Sequence, residues 1–112
     1  MAETSPVITM QSLKILTTLA GDPEKEWYGL ELSKRVGLQP GTIYPIFDRF
    51  LKAGWVERRW EDIDPTEEGR PKRRLYRLTR VGEVAAREAI EEHLAPLQQQ
   101  AAVAPKPRLG LA

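Results

Sequence analysis

GLQPGTIYPIFDRFLKAGWVERRW, residues 37–60, holds a complete transition from one helix to the next and on into a strand. Gly37 is a helix stop, since glycine takes the left-handed conformation that a tight C-terminus favours. Pro40 then opens a helix at a position where its missing N–H leaves nothing unpaired. Ile43, Ile46, Phe47, Phe50 and Leu51 follow at i, i+3, i+4, i+7 and i+8, an unbroken apolar face. Pro45 falls near the first turn, so it restricts this helix without breaking it. Gly54 closes the helix, and residues 55–61 alternate as a strand, with Val56, Arg58 and Trp60 on one side.

Upstream, Ser5-Pro6 predicts the opening of a first helix, with Ser as cap and Pro at the first helical position. Met10, Leu13, Leu16 and Ala20 form its apolar stripe, flanked by Ile15 and Leu19, and Gly21-Asp22-Pro23 ends it. WYGLELSKRV, residues 27–36, predicts a second short helix with Leu32 and Val36 four apart and Trp27 and Leu30 close to that face. Downstream of the strand comes a polar loop containing Pro65, Gly69 and Pro71. A second alternating strand, residues 73–78, follows, with Tyr76 and Leu78 on one side and Leu75 and Arg77 on the other. The two strands make a hairpin with a long tip. Thr79 caps a last helix whose apolar seam runs through Val81, Val84, Ala85, Ala89, Ile90, Leu94, Leu97 and Ala101, with a stop or kink expected near Ala95 from Pro96. Trp27, Trp55 and Trp60 are expected to pack the hairpin against the helices.

Composition bounds the function. The 112 residues suit one domain. Leu, Ile, Val and Phe make up about a quarter of them, above the roughly 20% at which a charged chain fails to collapse. A chain this short leaves apolar surface that a second subunit would cover. With no cysteine and the single histidine His93, thiolate chemistry and a metal cage are excluded, and no cofactor is expected. Glu24 with Glu26, and Glu67 with Glu68, have no accompanying nucleophile, metal ligand or phosphate-binding glycine loop, so an enzyme is not supported. Neither a signal peptide nor a membrane-spanning stretch is evident, and the expected location is cytoplasmic. Net charge is only +1, but it is segregated: residues 69–80 hold Arg70, Lys72, Arg73, Arg74, Arg77 and Arg80 and no carboxylate.

Helix, helix, short turn, third amphipathic helix, then a hairpin is the order of a winged helix-turn-helix. The expected fold is mainly α with a small β-hairpin, plus a C-terminal dimerisation helix. Removing the apolar set from the third helix leaves Thr42, Pro45, Arg49 and Lys52 on one outward stripe, with Gln39 and Gly41 at its start and Tyr44 beside it. The chemistry suits double-stranded DNA. Arg49 can fork onto guanine or phosphate, Gln39 can pair with adenine, and the Thr42 and Tyr44 hydroxyls can reach phosphate oxygens. Gly41 admits the backbone closely, and the helix N-terminus attracts phosphate. Arg70, Lys72, Arg73 and Arg74 are placed on or beside the hairpin tip, where a wing meets the adjacent minor groove or the backbone.

Residues 37–60 together with EEGRPKRRLYRLTRVG, residues 67–82, resemble the PadR family of transcriptional regulators. The resemblance rests on Gly41-Thr42-Ile43-Tyr44-Pro45 at the start of the third helix, on Gly54 after it, on Gly69 to Arg73 in the wing, and on Tyr76 to Gly82 after it. It covers about residues 10–90. It implies a homodimeric DNA-binding regulator, usually a repressor, whose C-terminal helix and first helix make the dimer contact. Some members bind planar effectors between subunits. The last helix here has no tryptophan to stack one, and effector binding stays open.

The expected organisation is a winged helix-turn-helix domain over residues 1–80, a dimerisation helix over 81–100 and a flexible tail over 101–112. Met10, Leu13, Val84, Ile90, Leu94 and Leu97 are the expected dimer contacts. The expected function is sequence-specific regulation of transcription by a homodimer on a palindromic promoter site, as a repressor. The alternative is a winged-helix protein-interaction module, for which Arg49 and Lys52 would serve as rim contacts and the basic wing would not be required.

Overall fold

Thr9, not Ser5, sets the start of the first helix. Its hydroxyl accepts from the Ser12 N–H at 3.1 Å while its own N–H donates to Ser12 Oγ at 2.8 Å. This reciprocal cap fixes α1 (Met10–Ala20). Pro6 lies in non-helical chain ahead of it, so the expected Ser-Pro opening is corrected; the Thr9–Ser12 pair satisfies two exposed N–H groups, which a proline cannot. The computed structural model describes residues 6–94. The expectations for Ser5, Pro96, Leu97, Ala101 and the tail 101–112 fall outside the described residues. Leu13, Ile15, Leu16 and Leu19 of α1 are buried.

Residues 27–36 divide into a strand and a helix instead of forming one helix. Trp27–Tyr28 is β1, and Gly29–Val36 is α2. Trp27 pairs with Tyr76 and Tyr28 with Leu75 on the neighbouring strand, so the backbone groups of these two residues are satisfied by a sheet edge. Two residues give too short an alternation to show in sequence. Leu32 and Val36 are buried as expected, but Leu30 faces outward and is exposed.

The turn after α2 depends on Gly37, whose φ of 74° is left-handed, and on Ser33, whose hydroxyl donates to the Leu38 carbonyl. Helix α3 (Pro40–Lys52) starts at once. Ile43, Ile46, Phe47 and Phe50 are fully inside, with Leu51 packed at the edge of the core.

The hairpin consists of β2 (Val56–Trp60) and β3 (Arg74–Leu78), with β1 added on the far side of β3 to make a three-stranded antiparallel sheet in the order β1-β3-β2. The loop between β2 and β3 contains one helical turn, α4 (Pro65–Glu68), capped by the Asp64 carboxylate, which accepts from the Thr66 N–H at 3.0 Å. An acidic cap, a proline at the first position and two glutamates in the turn explain it. Val56, Leu78, Tyr76 and Trp27 point inward from the three strands. Tyr76 stacks on Phe47 with ring centroids 4.1 Å apart, and Trp55 lies against Phe50 at 5.2 Å. Trp27 and Trp55 are thus core residues. Trp60 is 54% exposed, because its row of the sheet has run past the end of the core.

Thr79 links the sheet to α5 (Arg80–His93). Its hydroxyl accepts from the Gly82 N–H at 2.9 Å and donates to the Gly54 carbonyl at 2.6 Å. The buried line of α5 runs through Gly82, Ala86 and Ala89, not through the larger residues of the expected seam. Gly82 packs directly on the Trp55 carbonyl, which brings the helix close and turns Val81 and Val84 outward. No described helix is long and apolar enough to cross a membrane.

Candidate nucleic-acid interface

Burial of one face of α3 leaves the other to solvent. Gln39, Gly41, Tyr44, Pro45, Arg49 and Lys52 are exposed and Thr42 is half-buried, so the expected stripe exists as a surface. Among the described residues, Arg49 and Lys52 make no ion pair. Asp48 is exposed on the same helix and places one negative charge beside them.

The two aromatic contacts of α3 fix its direction relative to the wing. Phe50 meets Trp55 at the start of β2, and Phe47, one turn earlier, meets Tyr76 farther out along β3. Moving toward the wing therefore means moving toward the N-terminal end of α3. Residues 28 and 29 complete the connection. The Tyr44 ring packs on Gly29 so closely that a Cβ there would lie 2.5 Å from Tyr44 Cζ. The Arg73 guanidinium lies over the Tyr28 ring, 4.2 Å from its centroid. Two adjacent residues thus contact both elements, Gly29 touching α3 and the Tyr28 ring touching the wing from the side of the sheet that carries Leu75.

The four expected wing cations have different surroundings. Arg70 donates to both carboxylate oxygens of Glu61, at 2.7 and 3.0 Å, and to the Pro71 carbonyl at 3.2 Å. It is a strut of the loop and not a free charge. Glu61 also accepts from the Arg73 N–H at 3.0 Å. These contacts, the Arg70 guanidinium foremost, hold its carboxyl at about 2. Lys72 is exposed, and Arg74 stacks on Trp60 at 4.1 Å. Among the described residues, the side chains of Lys72, Arg73 and Arg74 make no ion pair.

Two arginines on the side of the sheet away from the helices are neutralised. Arg59 pairs with Glu26 at 2.6 and 2.7 Å, and Arg77 with Glu57 at 2.7 Å. Glu57 on Arg77 and Glu61 on Arg70 come from chain segments outside residues 69–80, which is why the charge run alone overstates the available positive charge. Arg58 is a candidate that the sequence reading passed over. Paired across from Tyr76, it shares the helix-facing side of the sheet with Trp60 and Arg74, and it is exposed without an ion pair among the described residues. Its alternation with Val56 was the available signal.

The expected dimer contacts also separate. Met10 and Val84 are 64% and 42% exposed. Leu13 is buried in this chain's own core, which removes it from any free face, and Ile90 and Leu94 are half-buried against the same core. An open groove of about 430 Å³ lies between the end of α1 and α5, lined by Ala20, Pro23, Glu83, Arg87, Ile90 and Glu91. None of these side chains is aromatic, so the groove offers a flat ligand no ring to stack on.

Three helices in helix-turn-helix order, a three-stranded sheet with a wing and a capping helix define a winged-helix fold. Among solved structures, the chain is similar to apo MarR from E. coli, with a TM-score of 0.66 and 24% identity over 83% of this chain and 63% of that one. It is similar to a mutant MarR complexed with operator DNA, with a TM-score of 0.64 and 24% identity over 83% and 61%. It is also similar to a PadR-like transcriptional regulator from Bacillus cereus, with a TM-score of 0.63 and 22% identity over 82% and 87%. The chain thus spans less than two thirds of the MarR chains' own length. No curated protein sequence matches it. The model of the transcriptional regulator PadR-like family matches residues 15–88. The chain belongs to that family, a class of regulators and not of enzymes.

Proposed function

We propose that this chain binds double-stranded DNA as a homodimer and represses transcription by occupying a palindromic promoter site, acting in the cytoplasm. The observation that carries this reading is the pair of contacts made by the Tyr28-Gly29 dipeptide, Tyr44 of α3 on Gly29 and Arg73 of the wing on Tyr28, which ties the stripe to the wing and supports reading them as one DNA-facing surface. Arg49 and Lys52 on the helix and Lys72, Arg73 and Arg74 on the wing supply its positive charge. A two-fold dimer would set two such surfaces about one helical turn apart. The operator-bound MarR variant supports the reading as a fold relative found on DNA. A protein-interaction module would have no need of the unpaired wing cations.

Dimerisation is supported by the exposed apolar residues Val7 and Met10 ahead of and in α1 and Val81 and Val84 on α5. In the proposed organisation, residues 1–80 carry the DNA-binding unit and 81–100 the dimer helix, although Gly82, Ala86 and Ala89 also complete the core. The reading requires no effector.

Selection of bound duplexes from a random-sequence pool tests it. Enrichment of an inverted repeat is the expected result. Recovery of unenriched sequence, or of no DNA, would reject it.

A further inference from the structure

We propose that Tyr28-Gly29 is the positioning element of this interface: Gly29 seats Tyr44 of the reading helix and Tyr28 holds Arg73 of the wing. Two neighbouring residues at the junction of β1 and α2 thereby set the spacing between helix and wing contacts. The inference rests on the DNA-binding reading but concerns residues that reading does not use as contacts.

Gly29 is the first residue of α2 and is buried, a place where alanine would be the better helix former. Helix propensity therefore does not account for a glycine. The neighbouring side chain does: a Cβ would fall 2.5 Å from Tyr44 Cζ and 2.8 Å from Cε1, both well inside contact distance. Tyr44 is still 43% exposed, so its ring has solvent to swing into when displaced. Alanine at 29 should move Tyr44 and leave the fold standing. On the adjacent residue, the aromatic face of Tyr28 attracts the Arg73 guanidinium. A long side chain held in one place before binding loses less freedom on binding. The Arg73 N–H is tied to Glu61 at 3.0 Å, so both ends of that residue are held.

The test uses the full chain and the duplex recovered from the random pool. Gly29→Ala should weaken binding about tenfold, the size of one lost DNA contact, with the circular dichroism spectrum unchanged. Added to Tyr44→Ala it should weaken binding no further, since the two residues act as one unit. In the free protein, the Tyr44 ring resonances, assigned with Tyr44→Phe, should move to solvent-exposed values in Gly29→Ala. Tyr28→Leu should weaken binding as Arg73→Ala does, and Tyr28→Phe, which keeps the ring, should bind as wild type. Wild-type binding by Gly29→Ala, unmoved Tyr44 resonances, or full additivity with Tyr44→Ala would overturn the role of Gly29. A failure of Tyr28→Phe to rescue would overturn that of Tyr28. If the wild type recovers no duplex, the DNA-binding reading falls, while the Tyr44 resonances still decide the seat.

Discussion

Arg70 and Glu61 face each other across the base of the wing, two guanidinium nitrogens on two carboxylate oxygens at 2.7 and 3.0 Å. The pair joins the end of β2 to the return of the loop after α4, and Glu61 adds a bond from the Arg73 backbone. One of the four arginines and lysines of the basic tip is thus committed to shaping the other three.

This pairing has a pH dependence with a definite sign. The Glu61 carboxyl is lowered in the folded chain from its ordinary 4.5 to about 2, chiefly by Arg70. A lowered carboxyl stabilises above its unfolded value, and that contribution is lost as pH falls through the folded one. The wing tie should therefore be complete above 4.5 and gone below about 2. The Arg73 amide resonance should titrate with its midpoint near 2; a midpoint at the ordinary carboxylate value would contradict the tie.

Glu61→Gln should release Arg70 toward phosphate. The logarithmic dependence of DNA affinity on salt should then steepen by about one unit per subunit. Affinity titrations at several salt concentrations measure this, and an unchanged slope would show that Arg70 never becomes available.

The core predicts two stability losses of different origin. Phe47→Ala removes the ring stacked on Tyr76 and should cost about 4 kcal/mol, as large-to-small changes in a core do. Gly82→Ala drives a methyl group into the Trp55 backbone and should cost about 2 kcal/mol by overpacking. Urea unfolding should show both as lower midpoints with unchanged slopes.

Val84 and Leu13 offer a contrast at the proposed dimer face. Val84→Asp places a charge on an exposed site and should give a folded monomer by sedimentation and circular dichroism. Leu13→Asp buries the charge in the core and should unfold the chain. A dimer that survives Val84→Asp would move the interface elsewhere.

Long periodicities were legible in the sequence, and single contacts were not. Ile43, Ile46, Phe47 and Phe50 announced α3 because four buried residues repeat one geometry. Val56, Tyr76 and Leu78 announced their strands for the same reason. Trp27 and Tyr28 could not, since a two-residue strand has no period and exists only because β3 offers it an edge. On α5 the expected seam held Ala89, which is buried, but also Val81 and Val84, which face out, and it passed over Gly82 and Ala86, because a close approach favours small residues that hydropathy ranks low. The stripe on α3 followed from subtraction of its buried face. The fate of each arginine did not, because Glu61, Glu26 and Glu57 reach their partners through the fold.

The central claim is that α3 and the wing form one cationic surface for DNA. Titration of the labelled selected duplex with wild type and with Arg49→Ala/Lys72→Ala/Arg73→Ala, repeated across salt concentrations, tests it most directly. Wild type should show a logarithmic salt slope of about −5 to −9, as for three to five phosphates neutralised per subunit. The triple variant should bind far more weakly with a much shallower slope. Equal affinity and equal slope for the two proteins would contradict the account.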